Sequence, residues 1–421
     1  MSQALFVKNR RNFLARMEDR SFALLFSGEA PHKTADQYYP YVANRNFYYL
    51  TGLSRPHFVL ALLKADGVTK EFLFIEEATD YSEKWLGHRL TREEAAAISG
   101  IPVSQIQFTQ QMEAFVGSAV LSNSRKALMS LPRFLYLDLH RPQPQVKPVA
   151  MTQAAFLLEN YPEIVLKNAG ELLNSLRMIK DPWEVGEIEK AIGYAKAGIE
   201  AVWKTARPGI NEHALEALFE YAARTAGSEG LSFGTILASG INATALHYED
   251  NNCVVADGDL VLTDLGCLAG PYASDITRTF PVSGKFSPRQ RQLYQLVLDV
   301  NKACIDFVKP GILWADLNAL AKKKLAEGAL RLGLISEEAQ IDRYYYHTVS
   351  HYLGLDVHDV GNYNEPLREG MVLTIEPGLY VAEEKIGIRI EDNILITRDG
   401  ARNLSQDILK EVDDIEAFLS R

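Results

Sequence analysis

The second half of this chain carries the same pattern twice, and this repeat limits its possible folds more than any other feature. Three segments match three later segments in the same order, and the separation between partners grows slowly: 206–218 with 308–320, 246–249 with 350–353, and 258–264 with 370–376. Collinear matches of this kind indicate a duplicated structural unit. We therefore predict two α/β halves over roughly residues 175–421, related by a pseudo-two-fold axis, with a site between them that receives matching groups from each half.

Two long helices are predicted in this region from their start signals and apolar spacing. Asp181, Pro182 and Glu184 fit the N-cap, the first-turn proline and the capping-box carboxylate of the first helix. The second helix is predicted to begin at Ser287-Pro288. Apolar residues follow each start at steps of three and four, which is typical of a helix with one buried face.

Four acidic residues interrupt strand-like runs of aliphatic residues, again two in each half. They are Asp264 and Asp275 in the first half and Glu376 and Glu391 in the second. Aspartate is depleted in strands, and buried carboxylates repel one another and lose hydration. Either these groups lie at exposed strand ends or a cation neutralises them, and their occurrence in duplicated positions favours the cation.

Four carboxylates and one imidazole would balance the charge of two divalent metal ions. Oxygen-rich ligation with one nitrogen favours Mn²⁺, with Co²⁺, Zn²⁺ and Fe²⁺ as alternatives, over a thiolate-type zinc site. A hydroxide bridging two such ions would be a nucleophile available at neutral pH. The sequence therefore predicts a dinuclear metal site with hydrolytic chemistry.

Three of the nine histidines lie close together between the two carboxylate pairs. His347 and His351 have the spacing of the HExxH zinc motif, but Thr348 stands where that motif has its glutamate. The β-branched and aromatic run around them favours a strand or loop over a helix. We expect at least one of His347, His351 and His358 to bind metal and the others to handle protons or contact substrate. The repeat adds His247 as the counterpart of His351.

The first part of the chain alternates short apolar runs with helical stretches, an α/β pattern without a catalytic motif. Strands are predicted over Phe22–Gly28, Phe47–Leu53 and a hairpin within His57–Glu77. The opening residues predict an amphipathic helix, whose inward side chains are Phe6, Phe13, Leu14 and Met17. We place the boundary so that an N-terminal domain covers residues 1–171 and a second domain covers residues 172–421.

Charge and composition exclude some functions. The net charge is −10 and no basic stripe offsets it, so nucleic-acid binding is not expected. No window reaches the ~18 apolar residues of a membrane span. Cys253, Cys267 and Cys304 contain no CxxC pair, which fits a reducing compartment, and a cytoplasmic location is expected. Cys304 is predicted to be a small packing residue. Cys267, three residues after Asp264, could approach a metal site, but a packing role is favoured for it as well.

Several spaced motifs resemble one known family. The segments SDITRTF, SHYLGLDVHDVG, TIEPGLY and GIRIEDN are similar to those of the pita-bread metallopeptidases, and most of all to the Xaa-Pro aminopeptidases (aminopeptidase P). This similarity runs from about Leu172 to the C-terminus. Ala35–Gly52 also resembles the amino-terminal domain shared by aminopeptidase P and the larger prolidases. The implied fold is an N-terminal creatinase/aminopeptidase-P-like α/β domain followed by a pita-bread catalytic domain, α/β (α+β) in class.

The resemblance also implies roles for individual residues. The implied ligands of two metal ions are Asp264, Asp275, His351, Glu376 and Glu391. Of these, Asp275 and Glu391 would bridge the ions, and Glu376 is our candidate for the general base. The side chains implied to line the substrate site are His247, His347, His358 and Arg389, with Arg389 orienting Glu391 through a hydrogen bond. Thr348 replaces the usual glycine of the family.

The implied activity is hydrolysis of the bond between an N-terminal residue and a following proline, so the expected partners are peptides with proline at the second position. A dipeptidase restricted to Xaa-Pro (prolidase) is the nearest alternative. Remoter alternatives are an inactive pita-bread binding module and a metal-free amidinohydrolase like creatinase. The N-terminal domain is expected to restrict access or to build a homodimer or homotetramer, with Asp36 reaching a neighbour's site.

Overall fold

The computed structural model describes residues 2–122, 125, 127–141, 143–145 and 147–420. The chain separates into two compact units, residues 1–177 and residues 178–421. Within the described ranges no helix has both the length and the apolar character that a bilayer crossing requires.

The N-terminal unit is an α/β domain. Its helices are α1 Ser2–Arg16, α2 Arg45–Thr51, α3 Asp80–Leu86, α4 Arg92–Ser99, α5 Met112–Phe115, α6 Val149–Gln153, α7 Ala155–Asn160 and α8 Ala169–Arg177. Its strands are β1 Ser21–Phe26, β2 His32–Thr34, β3 Gln37–Tyr38, β4 Val59–Ala65, β5 Val68–Ile75, β6 Ile106–Phe108, β7 Phe134–Leu137 and β8 Val165–Asn168.

A mixed sheet forms the centre of this unit, with the described strands in the order β6-β5-β4-β1-β7-β8. The predicted hairpin is present as β4 and β5, which pair antiparallel around a turn at Asp66, a residue with positive φ. Strand β1 is buried along its whole length, as its continuous apolar run predicts. The four side chains predicted to face inward from α1 and the residue after it are all buried: Phe6, Phe13, Leu14 and Met17.

The prediction of a strand over Phe47–Leu53 is wrong, because this segment is helix α2. The Asn44 side chain accepts a hydrogen bond from the backbone N–H of Phe47 and so caps the first turn. Gly52 ends the helix in the left-handed conformation, with a φ of 71°. Capping at both ends therefore outweighs the β propensity of the aromatic residues between them.

The C-terminal unit contains the duplicated region. Its helices are α9 Pro182–Thr205, α10 Glu212–Ala226, α11 Pro288–Phe307, α12 Trp314–Arg331 and α13 Val412–Leu419. Its strands are β9 Gly230–Leu231, β10 Ile236–Ser239, β11 Leu260–Leu265, β12 Cys267–Ala269, β13 Tyr272–Ala273, β14 Ile276–Pro281, β15 Val372–Ile375, β16 Gly378–Val381, β17 Ile386–Arg389, β18 Asp392–Ile396 and β19 Ala401–Asn403.

The two predicted helix starts are confirmed. Asp181 and Ser287 each cap a helix whose first residue is proline, and each start has a complete capping box, closed by Glu184 and Gln290. Each cap satisfies backbone N–H groups that have no partner inside the helix. Both helices bury the apolar face that the sequence spacing predicts.

The strands repeat one antiparallel motif in each half. In the first half, β11 pairs with β14 and the short hairpin β12–β13 connects them. In the second half, β15 pairs with β18 and the hairpin β16–β17 connects them. Asp275 and Glu391 occupy the same place in the two motifs, directly before β14 and β18. The pseudo-two-fold arrangement predicted from the repeat is therefore confirmed.

A buried ion pair joins the two halves next to these carboxylates. The Arg278 guanidinium, on β14, lies 2.8 Å from an oxygen of Asp392 on β18, and both side chains are fully buried. The same guanidinium donates to the backbone carbonyls of Leu409 and Ile408, at 3.0 and 3.1 Å. Burial raises the pKa of Asp392, but the charges of Arg278 and Lys410 lower it more, so the pKa lies below its usual range.

We expect Arg278→Met to destabilise the protein by about 3–5 kcal/mol, because it removes one partner of a buried ion pair and weakens the support of Asp392. Urea unfolding followed by tryptophan fluorescence measures the change. Arg402→Met is the matched control: it breaks the half-exposed pair with Glu189 and should cost about 1 kcal/mol or less. Equal effects of the two substitutions would contradict the structural role of Arg278.

Candidate metal and substrate site

One cavity of the C-terminal unit gathers the acidic residues and histidines that the sequence selected. Its volume is about 530 Å³. Its lining residues are Leu246, His247, Asp264, Asp275, His347, Thr348, Ser350, His351, His358, Tyr363, Glu376, Arg389 and Glu391. They come from both halves of the repeat, so the duplication places matching groups around one space.

Backbone hydrogen bonds between the two halves fix the positions of the central carboxylates. The backbone N–H of Asp275 donates to the side-chain oxygen of Asn393, and the Asn393 amide donates back to the Asp275 carbonyl. The backbone N–H of Glu391 donates to the carbonyl of Thr277, at 3.0 Å. Each bridging candidate is therefore anchored to the opposite half, and neither depends on a flexible loop.

Three predicted ligands converge closely. One ligand atom from each of Asp275, His351 and Glu391 lies within 4.8 Å of the other two. His351 Nε2 is 3.3 Å from Asp275 Oδ2 and 3.7 Å from Glu376 Oε1. Such a set of carboxylate oxygens with one imidazole nitrogen is the donor chemistry that Mn²⁺ and related ions accept.

The environment of these carboxylates also fits bound cations. Asp264 Oδ1 and Glu391 Oε1 are buried oxygens without a hydrogen-bond partner in the described ranges. A buried carboxylate oxygen that accepts no hydrogen bond carries a large desolvation cost unless a cation lies beside it. The two orphaned oxygens lie on side chains that line the same cavity. The carboxylates and His351 of this cavity are therefore suited to bind metal ions.

Burial and mutual repulsion raise the pKa values of the cluster. Burial, followed by the charges of Asp264 and Glu376, raises the pKa of Asp275 well above its usual value. Burial and the charge of Asp275 do the same for the pKa of Glu391. Burial also raises the pKa of Glu376, although His351 and Arg389 oppose the shift. A divalent cation would reverse these shifts by favouring the charged forms.

The orientation of His351 suits a metal ligand. Its Nδ1 is 2.9 Å from the carbonyl oxygen of Tyr352. Since a carbonyl oxygen only accepts, Nδ1 carries the proton and Nε2 presents its lone pair toward Asp275 and Glu376. The segment that carries His351 is extended, because the Thr374 N–H on β15 donates to the His351 carbonyl. The preference for strand or loop over helix is thus confirmed.

Arg389, Tyr380 and His347 form a chain of hydrogen bonds along one wall. Arg389 donates to Asp264 Oδ2 at 2.6 Å and to the Tyr380 hydroxyl at 3.0 Å. His347 Nδ1 donates to the Thr348 carbonyl, so His347 Nε2 accepts the Tyr380 hydroxyl proton at 2.9 Å. Burial, then the Arg389 charge, lowers the pKa of His347 to about 4, which leaves the ring neutral at pH 7.

The expected hydrogen bond from Arg389 to Glu391 needs correction. Arg389 donates directly to Asp264, and its Nε donates to the Thr277 hydroxyl at 3.1 Å. Thr277 in turn donates to Glu391 Oε2 at 2.7 Å. Alternating residues of one extended strand do share a face, but β17 pairs with β16 whereas β18 pairs with β15 and β19, so the chain passes from one sheet to another between Arg389 and Asp392.

Two further histidines, His247 and His358, belong to the wall of the cavity. The rings of His351 and His358 meet edge to face, with centroids 4.2 Å apart. Burial, then the charges of His351 and His247, lowers the pKa of His358. His247 is exposed, in a turn that follows the short 3-10 segment Gly240–Thr244. Both side chains line the cavity.

The remaining predicted residues have different surroundings. Asp36 belongs to the N-terminal unit, where it is exposed in the turn between β2 and β3, and its contact with a neighbour's site stays a prediction. Cys267 and Cys304 are fully buried, as expected of packing residues. Burial raises the pKa of each thiol to about 12, so neither is ionised at neutral pH.

Sequence reasoning missed three polar residues that support the site: Thr277, Tyr380 and Asn393. All three are buried and bonded to predicted site residues. Each lies within two to four residues of a selected residue, inside a strand that otherwise reads as apolar. The available signal was a polar side chain inside an apolar strand, two to four residues after a selected carboxylate, since such a group must find a partner when buried.

Comparison with known proteins gives the same picture over the whole chain. Residues 186–398 match the model of metallopeptidase family M24, and residues 6–128 match that of the aminopeptidase P N-terminal domain. The Xaa-Pro aminopeptidase of Escherichia coli (strain K12) is 31% identical, over 100% of this chain and 98% of that protein.

Solved structures agree with the family match. A candidate aminopeptidase P from Bacillus anthracis has a TM-score of 0.95 and 43% identity, covering 100% of this chain and 99% of that one. Zinc-substituted E. coli aminopeptidase P in complex with product has a TM-score of 0.89 and 30% identity, covering 100% of this chain and 98% of that one. The two-domain fold predicted from the sequence is therefore confirmed.

We expect Asp275→Asn to stabilise the chelator-treated protein at pH 8, because burial and the neighbouring charges of Asp264 and Glu376 raise the pKa of Asp275 and so disfavour its charged form. Because the pKa of Asp275 is raised by folding, the native state binds more protons than the unfolded state above about pH 4. The contribution of Asp275 to the free energy of unfolding therefore becomes less favourable as pH rises. The difference between variant and wild type should grow from pH 4 upward.

Thermal unfolding in EDTA between pH 4.5 and 8.5 measures this difference. Mn²⁺ should raise the Tm of the wild type and raise that of Asp275→Asn much less. Asp306→Asn, at an exposed position on α11, is the matched control and should follow the wild type. A variant less stable than wild type at pH 8 in EDTA would contradict the electrostatic account of this cluster.

Proposed function

We propose that this chain, which belongs to metallopeptidase family M24, is an Xaa-Pro aminopeptidase that hydrolyses the bond between an N-terminal residue and a following proline. One observation carries the proposal: the four carboxylates and His351, which come from both halves of the repeat and were selected from the sequence, line one cavity. Proteins similar to this chain over its full length are named Xaa-Pro aminopeptidases.

Five residues would hold two divalent ions: Asp264, Asp275, His351, Glu376 and Glu391. When bound, such ions act as Lewis acids and lower the pKa of water, so that a nucleophile is available at neutral pH. Mn²⁺ is our assignment for the native metal, because four carboxylates and a single imidazole favour it over thiolate-preferring zinc sites. The orphaned oxygens of Asp264 and Glu391 support this ligand set.

Glu376 is the proposed general base and acid. It accepts a proton from the attacking water as the new C–O bond forms and the tetrahedral intermediate arises. It then delivers that proton to the imide nitrogen of the leaving proline, so that the intermediate collapses and the C–N bond breaks. Thr374 donates weakly to Glu376 Oε1, at 3.5 Å, and so restricts its rotation.

Histidines surround the position of the scissile bond in this proposal. His247 and His358 stabilise the oxyanion of the tetrahedral intermediate or hold the proline side of the substrate. His347 is neutral and bonded to Tyr380, so it contributes an uncharged, fixed wall. Arg389 supports Asp264 from behind. Proline has no N–H in peptide linkage, so a shaped pocket replaces an amide hydrogen bond in its recognition.

The prolidase alternative is not favoured. A dipeptidase needs a group that binds the free carboxylate of the substrate, and the sequence offered His347 or an arginine for that role. Both ring nitrogens of His347 have partners, and Arg389 donates to Asp264, Thr277 and Tyr380. Both candidates are therefore already bonded within the protein. The relatives from Escherichia coli and Haemophilus influenzae are named Xaa-Pro aminopeptidases.

The remoter alternatives also lack support. An inactive binding module would be expected to have lost one or more of the metal ligands, whereas all five acidic and histidine side chains line one cavity. A metal-free amidinohydrolase has no use for clustered buried carboxylates, which repel one another without a cation.

The N-terminal unit is proposed to restrict access and to build a homodimer or homotetramer, with Asp36 reaching the site of a neighbouring copy. The exposed side chains of Tyr38, Tyr39 and Val42, next to that turn, support a contact surface. We also propose a cytoplasmic location, since the three cysteines are free thiols.

The test of this function compares Ala-Pro-Ala with Ala-Pro after Mn²⁺ is added to the purified protein. We expect release of alanine from the tripeptide, loss of activity with EDTA, and little turnover of the dipeptide. Glu376→Gln should lower kcat by about 10²–10⁴-fold, the usual contribution of a general base. Glu369→Gln, at an exposed position, is the matched control and should keep full activity.

Two outcomes would contradict the proposal. Cleavage of the dipeptide alone would assign the chain to the prolidases. Absence of EDTA-sensitive peptidase activity toward both peptides would overturn the enzymatic function itself.

A further inference from the structure

A fully buried carboxylate outside the cavity, Glu212, receives an unusual set of hydrogen bonds. It is the first residue of α10. Its Oε1 accepts from the Ser239 N–H at 2.8 Å, the Ser239 hydroxyl at 2.7 Å and the Asn242 amide at 3.4 Å. Its Oε2 accepts from the Tyr248 hydroxyl and the Cys253 N–H, both at 2.9 Å.

All of these donors belong to one stretch of chain, Ser239–Cys253, which also carries His247. The bonds reach both ends of the stretch and the residue that follows His247. The backbone N–H of Glu212 donates to the Cys253 carbonyl, which closes the stretch onto the start of α10 a second time. The His247 side chain is exposed, so few neighbouring side chains restrict it. Its position therefore depends on the backbone of the segment that Glu212 holds.

The donors of this arrangement converge on the two oxygens of one carboxyl group. A carboxylate offers about four acceptor sites on two oxygens, and it donates nothing when ionised. The start of a helix favours its negative charge. The five donors listed above would be left without their acceptor if the carboxylate were removed, and buried unpaired donors are costly. Glu212 is therefore suited to fix this stretch in one conformation.

The second half of the repeat has a comparable contact between the start of its second helix and the residue that follows a site histidine. Trp314, the first residue of α12, aligns with Glu212, and Tyr352, which follows His351, aligns with Tyr248. The Trp314 and Tyr352 rings pack with centroids 4.7 Å apart. In each half, the residue that begins the second helix thus holds the tyrosine after a site histidine. One half does so by a hydrogen bond and the other by aromatic packing.

We propose that Glu212 is a positioning residue for His247: its carboxylate fixes the Ser239–Cys253 segment so that the His247 imidazole faces the substrate side of the cavity. This inference rests on the proposed function, because it gives His247 a role in turnover. Glu212 touches neither substrate nor metal in this account. It acts through Tyr248 and the backbone, in parallel with the action of Trp314 on the His351 side.

The test is a double-mutant cycle between Glu212→Gln and His247→Ala, with kcat/KM for Ala-Pro-Ala as the readout. Glutamine keeps the shape but turns one oxygen into a donor that faces other donors. We expect Glu212→Gln to lower kcat/KM by about 100-fold in the wild type, the cost of a misplaced catalytic group. In the His247→Ala background it should lower kcat/KM by less than about threefold, since coupled residues are not additive.

Glu216→Gln is the matched control, because it changes a half-buried glutamate one turn later on the same helix. It should leave kcat/KM unchanged in both backgrounds. If Glu212→Gln does not fold, Tyr248→Phe replaces it, because deletion of the hydroxyl removes one of the hydrogen bonds to Glu212. The decrease in kcat/KM should then be smaller, and it should likewise vanish in the His247→Ala background. Equal losses in the two backgrounds, for whichever variant is used, would overturn the proposal.

Hydrogen exchange separates this inference from the proposed function. Glu212→Gln, or Tyr248→Phe in its place, should increase amide exchange within residues 239–253 and leave exchange around Asp275 and the Mn²⁺ content at wild-type values. Unchanged exchange within 239–253 would overturn the positioning role even if the wild type is an active peptidase. Increased exchange in a wild-type protein that cleaves neither peptide would instead retain the structural link and reject the proposed function.

Discussion

Repulsion among buried carboxylates is the constraint on which the rest of this structure depends. Asp275 and Glu391 are almost fully buried, and Asp264 and Glu376 lie beside them in the same cavity. The burial of like charges is unfavourable unless cations neutralise them, and the raised pKa values express that cost. A protein that keeps such a cluster must either bind cations there or hold protons on its carboxylates at neutral pH.

Duplication explains how the fold brings this cluster together. Each half supplies an antiparallel strand motif with one carboxylate directly before its last strand. The backbone of Asp275 is bonded to the side chain of Asn393, and the backbone N–H of Glu391 donates to the Thr277 carbonyl. Arg278 and Asp392 tie the same strands together behind the cavity. The cost of the buried charges is thus opposed by a rigid frame, which keeps the ligand atoms close without any loop closure.

Periodicity and capping residues made much of the fold predictable. The repeat, the proline-led helix starts and the carboxylates in strands each have a direct physical cause that is visible in sequence. The helix at Phe47 was missed because β propensity was weighed above the caps Asn44 and Gly52. The partner of Arg389 was missed because strand parity reveals neither the change of sheet between β17 and β18 nor the Thr277 hydroxyl that lies between Arg389 and Glu391.

The central claim is that the carboxylate cluster is a dinuclear metal centre, and metal stoichiometry tests it most directly. The protein is stripped with a chelator, loaded with Mn²⁺, freed of unbound metal by gel filtration and analysed by mass spectrometry. The account predicts two ions per chain in the wild type and a loss of bound metal when Asp275 and Glu391 are both replaced by their amides. A wild-type stoichiometry below one ion per chain would contradict it.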